Sequence, residues 1–175
     1  MPKPPRYVPH RELPPYSYVP GLHPHPISDP RGHMHGHEES DVDQAGAIAF
    51  GFDLFNHGYY WEAHEAWEQA WVSAGRKGEL ADILKGLIKL AAAGVKAREG
   101  KAEGVRRHAR RAEELFANGR VTNSFCGDWA KHAADIAVSA DQLLNQSSES
   151  VVVVFGFCLE LAMSFRNSFI DTNSE

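Results

Sequence analysis

The sequence lacks the features that define several large classes of protein. Two cysteines in 175 residues, Cys126 and Cys158, are too few for a disulfide scaffold, and a reduced, cytoplasmic setting is the simpler expectation. The net charge of −5 leaves no basic surplus, which argues against nucleic acid as a partner. The longest apolar run, residues 151–165, is interrupted by Glu160 and is too short to cross a bilayer as a helix, so no membrane partner is expected.

Proline is absent from most of the chain. All ten prolines fall within the first 30 residues, and six of the ten histidines precede residue 38. Because proline fixes φ and removes a backbone donor, these residues predict an extended Pro/His-rich arm over residues 1–39. Its tyrosines favour packing of the arm on the rest of the chain, since disordered tails usually lack aromatic side chains. We expect a helical domain over residues 40–146, followed by a C-terminal strand and tail over residues 147–175.

Apolar residues recur at helical spacing throughout the predicted domain, and glycines follow the ends of the periodic segments. The pattern predicts an all-α fold, a compact antiparallel bundle of four to five helices. Glycine and apolar residues recur at the same offsets in residues 58–70 and 100–112, which predicts two helical hairpins similar to the tetratricopeptide pattern. The β-branched run Val151–Phe155 predicts a short strand, which needs the helices, the arm or another chain as its partner.

Glu62, His64, Glu65 and Glu68 form the most chemically suggestive cluster in the sequence. At about 100° per residue, His64 lies on an aromatic stripe, and Glu68 lies at the edge of that stripe within one helical turn. In this projection Glu65 lies farther from the stripe than Glu68 does. Glu62 points away and is interpreted as a surface acid in the first turn. The stripe itself consists of Tyr60, His64, Trp67 and Trp71.

Two interpretations of this cluster remain open. A neutral imidazole and a carboxylate one turn apart can chelate a divalent ion such as zinc or move protons, so His64 and Glu68 are the candidate catalytic residues, either of them as general base in hydrolysis. Alternatively, His64 packs among the aromatic side chains and donates a hydrogen bond to Glu68, because buried polar groups need partners whatever their role. The first interpretation needs a third metal ligand from elsewhere in the chain.

Basic residues and the histidines of the arm supply further candidates. Lys89 and Lys96 share a lysine stripe on the third predicted helix, which suits either a small anionic ligand or an ordinary solvated face. His25 and His33 lie in alternating-histidine tracts of the arm, a pattern that can bind nickel, copper or zinc.

Two longer segments carry a family resemblance. The segment FNHGYYWEAHEAWEQAW, followed by LIKLAAAGVKAREGKAEGVRRHARRAEELF, resembles the domain of unknown function 309 family of small helical proteins. The arm segment LPPYSYVPGLHPHPISDPRGHMHG is similar to the lead-in of part of that family, so the matched stretches span residues 13–116. The resemblance implies an all-α bundle and no established activity, although its His and Glu residues suggest metal-dependent hydrolysis. The positions that match its polar signature are Asn56, Gly58, Tyr60, Glu62, His64, Glu65 and Glu68, with His25 and His33 in the arm.

The sequence departs from the family pattern at three positions. Lys89 stands where the family commonly has glutamine, Lys96 where it has histidine, and Lys101 where it has asparagine. A protonated lysine cannot bind a metal ion, so these departures weaken the case for a metal site built from the helices alone. His25 or His33 is then the expected contribution of the arm.

Two functions are expected as alternatives. The first is a pocket under the arm that binds a metal ion, with zinc as the candidate, or a small anionic ligand, and that could catalyse hydrolysis. The second is a non-catalytic helical interaction or scaffold module, with a second copy of the chain as candidate partner. For the first, the candidate metal ligands are His64, Glu68, His25 and His33, and the candidate ligand contacts are Tyr60, Glu65, Trp67, Lys89 and Lys96.

Overall fold

The computed structural model describes residues 3–37, 43–118 and 124–171, and helices are the regular secondary structure of these ranges. The all-α class is confirmed, with a short C-terminal helix in addition to the four or five predicted. The predicted boundary between residues 39 and 40 lies outside the described ranges. The helices are α1 (Gln44–Asn56), α2 (Tyr60–Ser73), α3 (Glu79–Arg98), α4 (Ala102–Ala117), α5 (Ser124–Val138) and α6 (Met163–Phe169), with a 3-10 turn at Ala140–Gln142.

Short connections make each of the first five helices pack on its neighbour in sequence. α3 contacts both α2 and α4, while α1 packs on α2 and α5 packs on α4. The helices therefore form one continuous bundle and do not separate into two hairpins, so the predicted tetratricopeptide-like detail is not supported. Among the helices that the structure describes, none combines the length and the hydropathy needed to cross a membrane.

Two glycines allow aromatic rings of α2 to lie directly against neighbouring helices. A Cβ atom at Gly94 in α3 would lie 2.4 Å from the ring of Tyr60, and one at Gly51 in α1 would lie 2.2 Å from Nε1 of Trp67. The Trp67 indole also donates a hydrogen bond to the carbonyl of Ile48 at 3.1 Å. Tyr60 and Trp67 of the aromatic stripe are therefore part of the core that joins α1, α2 and α3.

The arm, over its described residues 3–37, is without helix or strand and is anchored by buried carboxylates of the bundle. Asp53 in α1 is fully buried. Its carboxylate accepts hydrogen bonds from the backbone N–H groups of Tyr7 at 2.7 Å and Val8 at 2.9 Å, and from Arg6 Nε at 3.0 Å. A proline-rich segment cannot satisfy its backbone donors internally, so side chains of the helices accept them instead.

The predicted strand at Val151–Phe155 is wrong. The segment is extended, but it joins no sheet in the described ranges. Side chains of the helices supply the hydrogen bonds that a neighbouring strand would provide. The Tyr60 hydroxyl accepts from two N–H groups of this segment, at 2.9 and 3.4 Å, and the Asn56 amide both accepts from and donates to the backbone of Leu159. The β-branched run packs on α2 as an extended segment.

Candidate functional site

Helix α2 carries its candidate residues on two different surfaces. Its inner surface is apolar and buried, with Ala63, Trp67 and Ala70 facing the bundle. Its outer surface carries His64 and the three acids. The helix begins just after Gly58, whose φ of +88° permits the tight turn from α1.

His64, Glu65 and Glu68 converge on the half-exposed surface of α2. One potential ligand atom from each lies within 4.8 Å of the other two. The Nδ1 atom of His64 is 3.3 Å from a Glu65 carboxylate oxygen and 3.7 Å from a Glu68 carboxylate oxygen. The side chains are 28%, 35% and 48% exposed, respectively, so the cluster opens towards solvent. Within the described ranges, no other set of three His, Cys, Asp or Glu side chains is spaced closely enough to share a metal ion.

The Nδ1 atom of His64 is buried and makes no hydrogen bond to the described residues. Its distance of 3.7 Å from Glu68 is longer than a hydrogen bond, so the predicted bond between the two is not formed by this atom. Buried polar atoms usually have partners. An imidazole nitrogen without one, facing two carboxylates, is available to coordinate a cation.

Glu62 is not the surface acid that the helical projection predicts. It is only 5% exposed, because the arm covers this side of α2. Its Oε1 atom accepts a hydrogen bond from the backbone N–H of Tyr18 at 2.8 Å and lies 2.9 Å from Nε2 of His33. Glu62 therefore anchors the arm, as Asp53 does nearer the start of the chain.

The two arm histidines that were metal candidates have partners of their own. His33 pairs with Glu62, and the Nδ1 atom of His25 accepts backbone N–H groups of Ile27 and Ser28 at 3.2 and 3.3 Å. The ring of His25 also packs edge-on against Trp61. Neither histidine joins the group formed by the α2 cluster in the described structure.

His108, which the sequence pattern did not single out, has His64, Lys89 and Lys96 in its electrostatic surroundings. His108 of α4 is half-buried, and burial lowers its pKa to about 4, aided by the positive charges of Lys89, Arg107, Lys96 and His64. Lys96 itself forms an ion pair with Glu99. His108 lies three residues after the buried Val105, so extending the apolar periodicity of α4 would have identified its position.

Tyr60 and Trp67, both candidate ligand contacts, are fully buried. The hydroxyl of Tyr60 accepts backbone hydrogen bonds from the C-terminal segment, and burial raises its pKa well above the usual range. The indole of Trp67 is bonded to the backbone of α1. The structure thus separates these two core side chains from the open cluster of His64, Glu65 and Glu68.

Residues 48–108 match the family model described as Domain of unknown function (DUF309). The matched segment covers 61 of the 175 residues. It runs from α1 into α4 and includes the α2 cluster and His108. The resemblance that the sequence indicated is confirmed over these residues. No curated protein and no solved structure matches the chain.

The residues that resemble the family's polar signature divide into two groups in this structure. Asn56, Tyr60 and Glu62 hold extended segments of the chain by hydrogen bonds to backbone groups. The other group, His64, Glu65 and Glu68, is the open cluster. The resemblance therefore combines residues that anchor the arm and the C-terminal segment with residues that form a partly exposed cluster.

Proposed function

We propose that the DUF309 cluster of His64, Glu65 and Glu68 binds a divalent transition-metal ion, with zinc as the first candidate. The supporting observation is the convergence of three ligand atoms within 4.8 Å, one of them a buried imidazole nitrogen without a hydrogen-bonding partner. Imidazole nitrogen and carboxylate oxygen are ligands that zinc uses in proteins. A bound cation would give His64 Nδ1 its missing partner and balance the two carboxylates.

A site with three protein ligands leaves a coordination position for water or substrate. Because Glu65 and Glu68 are partly exposed, we expect that position to face solvent. Hydrolysis is the reaction class that we propose to test, because a bound metal ion can lower the pKa of water and polarise a carbonyl or phosphoryl group. A ligand cannot also serve as a free base, so the predicted base role of His64 or Glu68 applies only to the metal-free protein.

Positive charge beside the cluster favours an anionic substrate. Lys89, Lys96 and His64 all contribute to the lowered pKa of His108, which supports a common neighbourhood for the four groups. Glu99 already pairs with Lys96. Lys89 is therefore our preferred contact for the anionic group of a substrate.

The decisive experiment is zinc titration of untagged, metal-free protein by calorimetry. We expect one equivalent to bind, and we expect the double variant His64→Ala/Glu68→Gln to bind it at least about tenfold more weakly, since it loses two ligands. The double variant His35→Ala/His37→Ala controls for binding by the exposed histidines of the arm. If the α2 variant binds zinc like the wild type while the arm variant loses it, the proposal is wrong. Phosphate- and carboxylate-ester hydrolysis is then assayed with and without the metal.

A non-catalytic interaction module is the second candidate, with a second copy of the chain as partner. Val138 at the end of α5 is 88% exposed, and Met163 at the start of α6 is also largely exposed. Tyr60 and Trp67 of the aromatic stripe that was expected to contact a partner are buried inside the bundle, so a dimer would need these exposed apolar side chains instead. Sedimentation velocity over a wide concentration range tests this candidate, and a monomer at every concentration contradicts it.

A further inference from the structure

A cleft of about 390 Å³ lies between the arm and the junction of α3 with α4. The turn at residues 19–22 forms one wall, and Arg98, Glu99, Lys101 and Gln146 form the other. Its volume is at the lower end of the range of small-molecule sites. None of its lining residues belongs to the α2 cluster.

Arg98 is the unusual group in this cleft. It is 1% exposed, yet none of the ion pairs among the described residues includes its guanidinium. Its terminal nitrogens donate to the neutral carbonyl oxygens of Asn145, Ser147 and Glu149, at 3.1 to 3.2 Å. Its Nε atom is buried and has no hydrogen-bonding partner in the described structure. Burial lowers the pKa of Arg98, and the charges of Tyr60 and Glu149 offset that shift only in part.

The charge balance of the cleft favours an anion. Lys101 adds a second positive charge at the rim, where its side chain is 62% exposed. The one acid of the lining, Glu99, is held by Lys96 and lies 3.6 Å from Lys101. The lining therefore carries two cations against one carboxylate that is already paired, and a buried charge is stable only when a partner compensates it.

We propose that this cleft binds a small anion bearing a carboxylate or phosphoryl group, with Arg98 as its buried contact and Lys101 as its contact at the rim. The guanidinium supplies a directed donor for an oxyanion, and the ammonium supplies a mobile point charge. The site is separate from the α2 cluster and needs no metal ion. Because Arg98 also holds the backbone after the 3-10 turn, occupation of the cleft would couple anion binding to the order of the C-terminal segment.

The test uses the full chain with a chelator present, so that metal binding at the α2 cluster cannot contribute. Thermal unfolding is followed while inorganic phosphate or acetate is added at constant ionic strength, with chloride as the replacement ion. We expect a saturable rise in Tm with at least one of the two probes. Lys101→Glu is expected to weaken that response by about tenfold or more, since it removes a charge-assisted contact and adds repulsion.

Lys85→Glu is the matched control, because it makes the same change of charge at an exposed position of α3 that does not line the cleft. It should leave the response to the probe unchanged. Hydrogen exchange locates the site, and we expect added protection at residues 19–23 and 145–149. The absence of a saturable response to both probes overturns the proposal. An equal loss of response in Lys101→Glu and Lys85→Glu overturns it as well, since that result indicates general charge screening. Arg98→Lys is a less specific variant, because it also removes hydrogen bonds to the backbone of residues 145–149.

Discussion

The attachment of the arm to Asp53 should contribute directly to the stability of the protein. We consider the substitution Asp53→Ala. The fully buried carboxylate accepts three hydrogen bonds, one of them from a charged guanidinium. Its loss leaves two backbone N–H groups and Arg6 without their acceptor. Removing one partner of a buried ion pair costs about 3–5 kcal/mol.

The lower end of that range applies here, because the Arg6 side chain is 22% exposed and can regain water. We therefore expect the free energy of unfolding to fall by about 3 kcal/mol. For a chain of this length, that corresponds to a decrease in Tm of roughly 6–12 °C. Urea denaturation gives the free energy, and hydrogen exchange at Tyr7 and Val8 reports detachment of the arm itself.

Asp135→Ala is the control for this measurement, since Asp135 lies exposed on α5. A double-mutant cycle with Arg6→Met isolates the ion pair, and we expect a coupling of more than about 1 kcal/mol. If Asp53→Ala and Asp135→Ala destabilise the protein equally, and exchange at Tyr7 and Val8 is unchanged, the buried carboxylate does not anchor the arm.

Three further predictions follow from single buried groups. Tyr60→Phe removes an acceptor from two backbone N–H groups and should cost about 1–3 kcal/mol in urea denaturation. The hydroxyl of Tyr59 makes no hydrogen bond to the described residues, so Tyr59→Phe should lower the free energy of unfolding much less. The pKa of His108 is lowered to about 4, so between pH 6.5 and 4 the unfolded chain takes up a proton that the folded chain does not. The free energy of unfolding should therefore fall as the pH falls through that window, by about 1 kcal/mol at pH 5 once partial exposure of the ring is allowed for. Burial also lowers the pKa of His23 and His132, so His108→Gln should reduce this dependence without removing it, and a dependence identical to that of the wild type contradicts the assignment. Burial raises the pKa of Cys126 to about 12, so a thiol reagent should label the exposed Cys158 first and reach Cys126 only on unfolding. Labelling of Cys126 in the folded protein would contradict its burial.

Local patterns were sufficient to predict the helices. The predicted all-α class is confirmed, and Gly75 and Gly100 follow the ends of α2 and α3 as the pattern indicated, because a helix is closed by hydrogen bonds between near neighbours in sequence. The prediction of a C-terminal strand was wrong for the opposite reason. A strand needs a partner from elsewhere, and here Tyr60 and Asn56 provide the bonds that a partner strand would have provided.

The candidate site was predicted in part. The helical projection placed His64 beside Glu68 and left Glu65 marginal, and the structure brings all three together. It also placed Glu62 on the side of α2 that faces away from the bundle. A projection of one helix cannot show that the arm covers that side, so it could not identify the pairing of Glu62 with His33.

The sequence by itself determined the helical class, the resemblance of residues 48–108 to a known family and the division between a proline-rich arm and a proline-free bundle, because each depends on local geometry or on residue spacing. The tertiary structure alone decided which polar residues are buried and which backbone groups they bind by hydrogen bonds. Asp53, Asn56, Glu62 and Arg98 all contact backbone groups of the arm or tail, across separations of more than 40 residues. Such contacts depend on chain segments far apart in sequence, and neither composition nor periodicity records them.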